Sequence, residues 1–230
     1  MTRVLIARMD VMPEFEEEFN RWYNGEHMVQ ASTIPGFGRY QLRFRRLVND
    51  GGYGVLARGP EYYAVYDLEG ETDLLLSINS DQYRAWSGDF LKRWRERTMR
   101  EVSIIVEQIF GREGPLPHRR ILLAQVDPEE GADEEFTGWL FREHLPAAGN
   151  VIGFTGDHRV FRAIELHGKY WTYRPSPRYT IVHEVATEIA PRALMNSVDY
   201  RRWSANFSDH SSGRIDGTWG LCEKIFPLQV

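Results

Sequence analysis

The chain repeats itself. The segment WYNGEHMVQASTIPGF, Trp22 to Phe37, returns as WLFREHLPAAGNVIGF, Trp139 to Phe154, at an offset of 117 residues. The same offset carries Arg3-Val4-Leu5 onto Arg120-Ile121-Leu122, Asp10 onto Asp127, and Glu26-His27 onto Glu143-His144. It also carries Tyr62 onto Tyr179 and YRAWS, Tyr83 to Ser87, onto YRRWS, Tyr200 to Ser204. A one-residue slip then aligns EQIF, Glu107 to Phe110, with EKIF, Glu223 to Phe226. One register held over about a hundred residues marks a duplicated unit rather than a chance similarity. Between the copies lies GREGPLPH, Gly111 to His118, whose glycines and prolines make a linker. The expected division is a first repeat over 1–111, a linker over 112–118 and a second repeat over 119–230.

Each copy predicts the same order of elements. Val4 to Met9 is an apolar run and reads as a strand. From Pro13, Phe15, Phe19 and Trp22 recur at helical spacing, with Pro13 and Glu14, Glu16, Glu17 and Glu18 in the first turn, where proline and negative charge favour a helix start. Ile34-Pro35-Gly36 ends that helix. Tyr40, Leu42 and Phe44 then alternate with Gln41, Arg43 and Arg45, the period of a half-buried strand. A glycine-rich turn, NDGGYG, leads to the strand EYYAVYDL, a second helix over about 73–97, and a last strand VSIIVEQIF. The second copy places strands at Ile121 to Val126, His158 to Ala163, Tyr179 to Val185 and Gly220 to Phe226, and helices over about 133–148 and 191–207. The order β-α-β-β-α-β is the split motif of ferredoxin-like domains. A four-stranded sheet with helices on one face leaves the other face bare, and two such sheets in one chain can cover each other. The expected fold is therefore α+β: two ferredoxin-like repeats whose antiparallel sheets face one another in an α/β barrel, with any ligand cavity between the sheets.

Composition restricts the function. The 230 residues carry a net charge of −5, which disfavours general nucleic-acid binding, and no polybasic run suggests a membrane surface. The single cysteine, Cys222, excludes an intrachain disulfide and a cysteine-held metal. The opening MTRVLIARMD has no secretory apolar region, and a cytoplasmic protein is expected. Aromatic residues make up 13% of the chain, enough to line a pocket for a planar ligand. The phosphate-loop, dinucleotide and nucleophile-elbow motifs do not occur, and no histidine or carboxylate spacing makes a metal site.

FNRWYNGEHMVQASTIPGFGRYQLRFR, GPEYYAVYDLE and SDQYRAWS together resemble the EthD-like branch of the dimeric α/β barrel superfamily. That pattern is a Trp/Tyr-rich first helix ending in a histidine, a Pro-Gly-Phe turn, an arginine-bearing strand and a Gly-Pro-x-Tyr strand. The second copy follows it more loosely, with Ile152 where Pro35 stands. The superfamily includes cofactor-free decarboxylases, dehydratases, cyclases and lactone isomerases, monooxygenases, haem enzymes and members without assigned activity. The resemblance implies a cofactor-independent lyase or isomerase acting on a small aromatic or polyketide-like acid, as a monomer or homodimer. A cofactor-free or haem-dependent monooxygenase and a non-enzymatic binding protein are the alternatives.

Candidate residues follow from chemistry. His27 and His144 can act as general acid or base, or can cap the helix C-terminus. Tyr23 is expected on the face of His27, and Trp22 on that of Glu26. Tyr66 and His183 are equivalent and share strand faces with Tyr62 and Tyr179. If those faces point inward, the tyrosine and histidine meet across the barrel. Arg43, Arg45 and Arg162, with His158 on the equivalent strand, either lie in solvent or hold an anion. An enclosed arginine needs a substrate carboxylate or phenolate, or Asp67 or Glu184. The loop ELHGKYWTYRPSP carries Tyr170, Trp171 and Tyr173 and reads as a lid over a planar ligand or as a subunit interface.

Overall fold

The structure is a computed structural model that describes residues 2–47, 56–69, 73–114, 120–169, 171–211 and 215–226. The turn at NDGGYG and residues 115–118 of the linker lie outside the described residues. The first half runs β1 (Arg3–Val11), α1 (Glu16–Trp22), β2 (Phe37–Arg46), β3 (Tyr62–Leu68), α2 (Asp81–Trp94) and β4 (Thr98–Phe110). The second half runs β5 (Arg120–Pro128), α3 (Asp133–Trp139), β6 (Phe154–Ile164), β7 (Tyr179–Val185), α4 (Val198–Ser211) and β8 (Ile215–Phe226). Neither α1 nor α3 stops at its tryptophan. Each continues through a π-helical turn, Tyr23–His27 or Leu140–His144, into a last α-turn, Met28–Ala31 or Leu145–Ala148.

The sheet order is β4-β1-β3-β2 in the first half and β8-β5-β7-β6 in the second. Both follow the split ferredoxin-like pattern. The halves then join edge to edge. Ile105 to Phe110 of β4 pair with Ile164 to Val160 of β6, and Arg43 to Arg46 of β2 pair with Phe226 to Cys222 of β8. Among the described residues, eight strands thus close into one antiparallel barrel, which covers edges that would otherwise invite pairing with another chain.

Two local features differ from the sequence expectation. The helix expected over 73–97 is broken into Leu74–Asn79 and α2, because Ser80 turns extended and its hydroxyl accepts from the Tyr83 N–H as a new N-cap. Pro35 has no counterpart in the second copy, yet the turn persists. Gly36 (φ 81°) and Gly153 (φ 105°) both supply the left-handed backbone, and Ile152 is 68% exposed, so nothing there demands proline.

Alternation along the strands separates two faces. Val4, Ile6, Leu42, Phe44, Tyr63, Val65, Ile104, Val106, Ile121, Leu123, Phe161 and Val182 point inward and pack into one apolar core. The barrel lumen is therefore largely filled, leaving a space of only about 30 Å³ beside Val4, Leu42 and Phe161, so the expected ligand cavity between the sheets is reduced to a small pocket. Tyr62, Tyr66, Tyr179 and His183 point the other way, toward the helices of their own halves. Tyr66 and His183 do not meet across the barrel. The bulky β-branched residues took the lumen, and the period of two sent the polar rings outward.

Candidate active site

Between β1, β4 and the helices of the first half lies a cavity of about 270 Å³. Its floor is Leu5, Ala7, Met9 and Ser103, and its helical wall is Tyr23, His27, Tyr83, Trp86, Ser87, Phe90 and Leu91. Its roof comes from the other half, as Trp171, Thr172 and Tyr173 reach across and the Tyr173 hydroxyl bonds that of Tyr83. The aromatic loop thus covers the first-half cavity.

His27 enters this wall because of the π turn. The extra residue per turn brings His27 into ring contact with both Trp22, at 4.8 Å, and Tyr23, at 4.7 Å, and turns Glu26 out to solvent, where it faces Arg93 at 3.8 Å. Trp22 and Glu26 still border one surface, since Arg93 lies over the Trp22 ring at 5.7 Å and faces Glu26. Single π turns inside α-helices are frequent at functional sites. The His27 imidazole stacks on Trp86 at 4.3 Å, and the Trp86 indole N–H donates to the His27 carbonyl at 2.9 Å. The helix continues past His27, so this side chain is no C-terminal cap; the indole satisfies its carbonyl instead. His144 has the same arrangement with Trp203, 4.5 Å between rings and 3.1 Å from indole nitrogen to carbonyl oxygen. Burial, with Arg43 nearby, lowers the pKa of His27 to about 3, and burial, with His158 and His210, lowers that of His144 to about 3. Both imidazoles are neutral at pH 7.

Behind the cavity wall stands a polar stack. The Tyr23 and Tyr66 hydroxyls are 2.7 Å apart. The Arg43 guanidinium lies 4.4 Å from the ring centres of Tyr23 and Tyr62 and 5.1 Å from that of Phe19. Arg43 has 0% exposure, against the expectation of solvent. Its Nη1 donates to Asn24 Oδ1 at 2.9 Å, while Nε and Nη2 are buried without a hydrogen-bond partner, as is Nδ1 of His27. Among the described residues neither Asp67 nor Glu184 pairs with it. Burial lowers the Arg43 pKa to about 10, and burial pushes Tyr66 well above the usual tyrosine value. Arg43 is thus a cation caged by rings, with no acidic partner among the described residues.

The other sequence candidates are not at this cavity. Arg45 is half-exposed and pairs with Glu16 at 2.8 Å and Glu61 at 3.0 Å; Arg162 is exposed and faces Glu107 at 3.5 Å. Tyr62 donates to Glu16, and Tyr179 donates to Asp133 at 2.9 Å, matching bonds that tie a strand to the helix start in each half. His158 lies 3.1 Å from His183, nitrogen to nitrogen, in the second half. Glu184 is engaged by Arg159 at 3.6 Å. Among the described residues no group of three or more His, Cys, Asp or Glu could hold a metal, and no helix is long and apolar enough to cross a membrane. Ser103 at the cavity floor is a site residue that sequence reasoning missed, because a lone serine in an apolar strand carries no pattern.

No family model matches the chain, and no curated protein matches it. Solved structures do. A provisionally assigned monooxygenase of Fusobacterium nucleatum superposes with a TM-score of 0.54 at 6% identity, over 97% of this chain and 92% of its own. An anthrone oxidase-like protein superposes with a TM-score of 0.51 at 14% identity, over 96% and 90%. An EthD family protein of Bacillus halodurans aligns along its whole length with 47% of this chain at 21% identity, and its TM-score of 0.36 carries no argument. Chlorite dismutases also match over nearly the full chain. The whole-chain similarities show a shared fold, two ferredoxin-like halves closed into one antiparallel barrel.

Proposed function

We propose that the first-half cavity is the active site of an enzyme that moves a proton on a small planar aromatic or polyketide-like acid without a cofactor. The observation that carries this reading is one partly open, ring-lined cleft on which His27 and Tyr23 converge, with the Tyr66 hydroxyl and the caged Arg43 charge behind Tyr23. At about 270 Å³ the cavity is just under the usual size of small-molecule sites and suits a compact planar ligand. Phe90, Trp86 and Trp171 line it with aromatic surface suited to a planar ligand.

The chemistry follows from charge. Neutral His27 takes a proton from an acidic carbon of the substrate. The C–H electron pair moves to a conjugated oxygen, and the Tyr23 hydroxyl, held by Tyr66, donates to that oxygen. Arg43 lies behind the pair and favours the negative charge without contacting the ligand. His27 is a weak base in the empty protein because burial and Arg43 both oppose its protonation. A bound anion reverses the second effect and raises its basicity at the moment of transfer. The electron pair then expels a β-hydroxyl, which leaves as water with the proton His27 took, or the proton returns at another carbon; the first is a lyase and the second an isomerase reaction. Turnover screened over a panel of aromatic and polyketide-like acids tests the reading: His27→Ala and Tyr23→Phe variants that both keep full activity on an accepted substrate would sink it.

A monooxygenase is the second reading, favoured by the names of the whole-chain structural neighbours. It shares the first step, after which the carbanion hands electrons to dioxygen. Turnover that stops under anaerobic conditions, with oxygen consumed in air, selects it. A haem, the other alternative carried by the sequence resemblance, does not fit this cavity. The space is too small for a porphyrin, and the His27 ring is stacked face-on against Trp86.

A further inference from the structure

We infer that Ser103 is the residue that sets the size of substrate this protein accepts, and that Trp219 is the reason the second half holds no equivalent site. The inference rests on the reading of the first-half cavity as the active site. It starts from strand register. Ser103 pairs with Ala7 across β1 and β4, and Trp219 pairs with Ala124 across β5 and β8. Ala7 and Ala124 are equivalent in the repeat, so Ser103 and Trp219 occupy the same position on the same helix-facing side of the barrel. In the first half that position is a small hydroxyl at the cavity floor. In the second half it is an indole, buried in the core between sheet and helices with Leu122, Ala124, Trp139, Leu140 and Leu221.

The surroundings agree. Tyr173 crosses from the second half to roof the first-half cavity, while Leu56, its equivalent at the offset of 117, crosses from the first half and packs into the same core as Trp219. Both roofs are present, and both histidines sit on their tryptophans; roof and wall residues change from Tyr173 and Tyr23 to Leu56 and Leu140, and the largest gain in bulk in the second half is at the floor, from Ser103 to Trp219. The ligand accepted is one whose edge lies over β1 and β4, beneath His27. A ring system extended toward Ser103 fits only while that residue stays small. A larger side chain there shortens the acceptable substrate before it touches the chemistry at Tyr23 and His27.

Xenon-pressurised crystals and 2-naphthol titration of three forms of the full chain test this. The wild type should show xenon in the first-half cavity and bind one naphthol. Ser103→Trp should lose the xenon site and weaken naphthol by at least about tenfold. Trp219→Gly should keep the first site and open a second one beside His144. A Ser103→Trp protein that retains xenon and naphthol as the wild type does would overturn the inference. So would a folded Trp219→Gly protein with no new xenon site. Xenon reports the space and not the reaction, so the inference stands or falls apart from turnover. If Ser103→Trp empties the cavity but turnover survives, the active-site reading fails while the cavity assignment holds.

Discussion

The two halves of this protein share a scaffold and differ in what they enclose. Both carry the π turn, the Trp–His stack with its indole-to-carbonyl bond, the left-handed glycine before the second strand, and a tyrosine bonded to an acidic residue at the helix start. At the site they part. Tyr23, Arg43, Tyr66 and Ser103 of the first half stand where Leu140, Val160, His183 and Trp219 stand in the second. The first set leaves a cavity backed by a caged cation. The second fills the space with apolar side chains and sets His183 against His158. Features that recur in both halves are thereby assigned to folding, and features that occur in one are assigned to ligand. His27 belongs to both groups, since its backbone role recurs in His144 while its cavity does not.

The largest expected effect separates the two histidines. His27→Ala should lower kcat by about a hundredfold or more, the ordinary contribution of a general base. His144→Ala should leave kcat within about twofold while costing about 2 kcal/mol or more of stability through the cavity it leaves. Equal losses of activity in the two variants would erase the distinction between the halves.

Acid stability is next. Both histidines have folded pKa values of about 3, below the ordinary 6.5, so the unfolded chain binds protons that the folded chain resists. Stability is therefore greatest above pH 6.5 and falls as the pH drops from 6.5 toward 3. Urea unfolding across that window should show the decline, and replacing either histidine by leucine should flatten it. A profile unchanged by both replacements would mean that neither histidine is buried neutral.

Arg43→Met offers a test of smaller magnitude and opposite signs. Removing a buried cation without an acidic partner should leave stability unchanged or raise it by up to about 2 kcal/mol, while ligand affinity falls. A marked loss of stability would make Arg43 a structural cation held by its aromatic cage. Trp86→Phe and Trp203→Phe should each cost about 1 kcal/mol for the lost bond to the histidine carbonyl, equally in both halves. The least effect belongs to Glu26→Gln and Glu143→Gln. Their carboxylates are solvent-facing, and thermal melts should move by the equivalent of no more than about 0.5 kcal/mol.

The architecture was legible because duplication supplied its own control. Strand and helix periods recurred at one offset, and β7 was bounded from sequence at Tyr179–Val185, where the structure has it. The π turn was not legible, since an extra residue in a helical turn leaves no mark on apolar spacing. Strand facing was not legible either. In EYYAVYDL and RYTIVHEV both alternate sets are bulky and partly apolar, so period alone could not say which set entered the lumen. Arg43 looked solvent-facing because arginines usually are, and only the cage of Phe19, Tyr23 and Tyr62 explains its burial.

By itself the sequence determined the repeat, the element order, the two Trp–His pairs and the residue types from which a site could be built. Those are consequences of local spacing and of one comparison along the chain. Tertiary structure decided that the lumen is mostly filled, that the larger cavity lies outside it under α1 and α2, and that a loop of the second half roofs the first. These depend on which residues meet across strands distant in sequence. Ser103 shows the reason most simply: a serine in VSIIVEQIF carries no message until strand pairing sets it opposite Ala7 and the repeat sets it against Trp219.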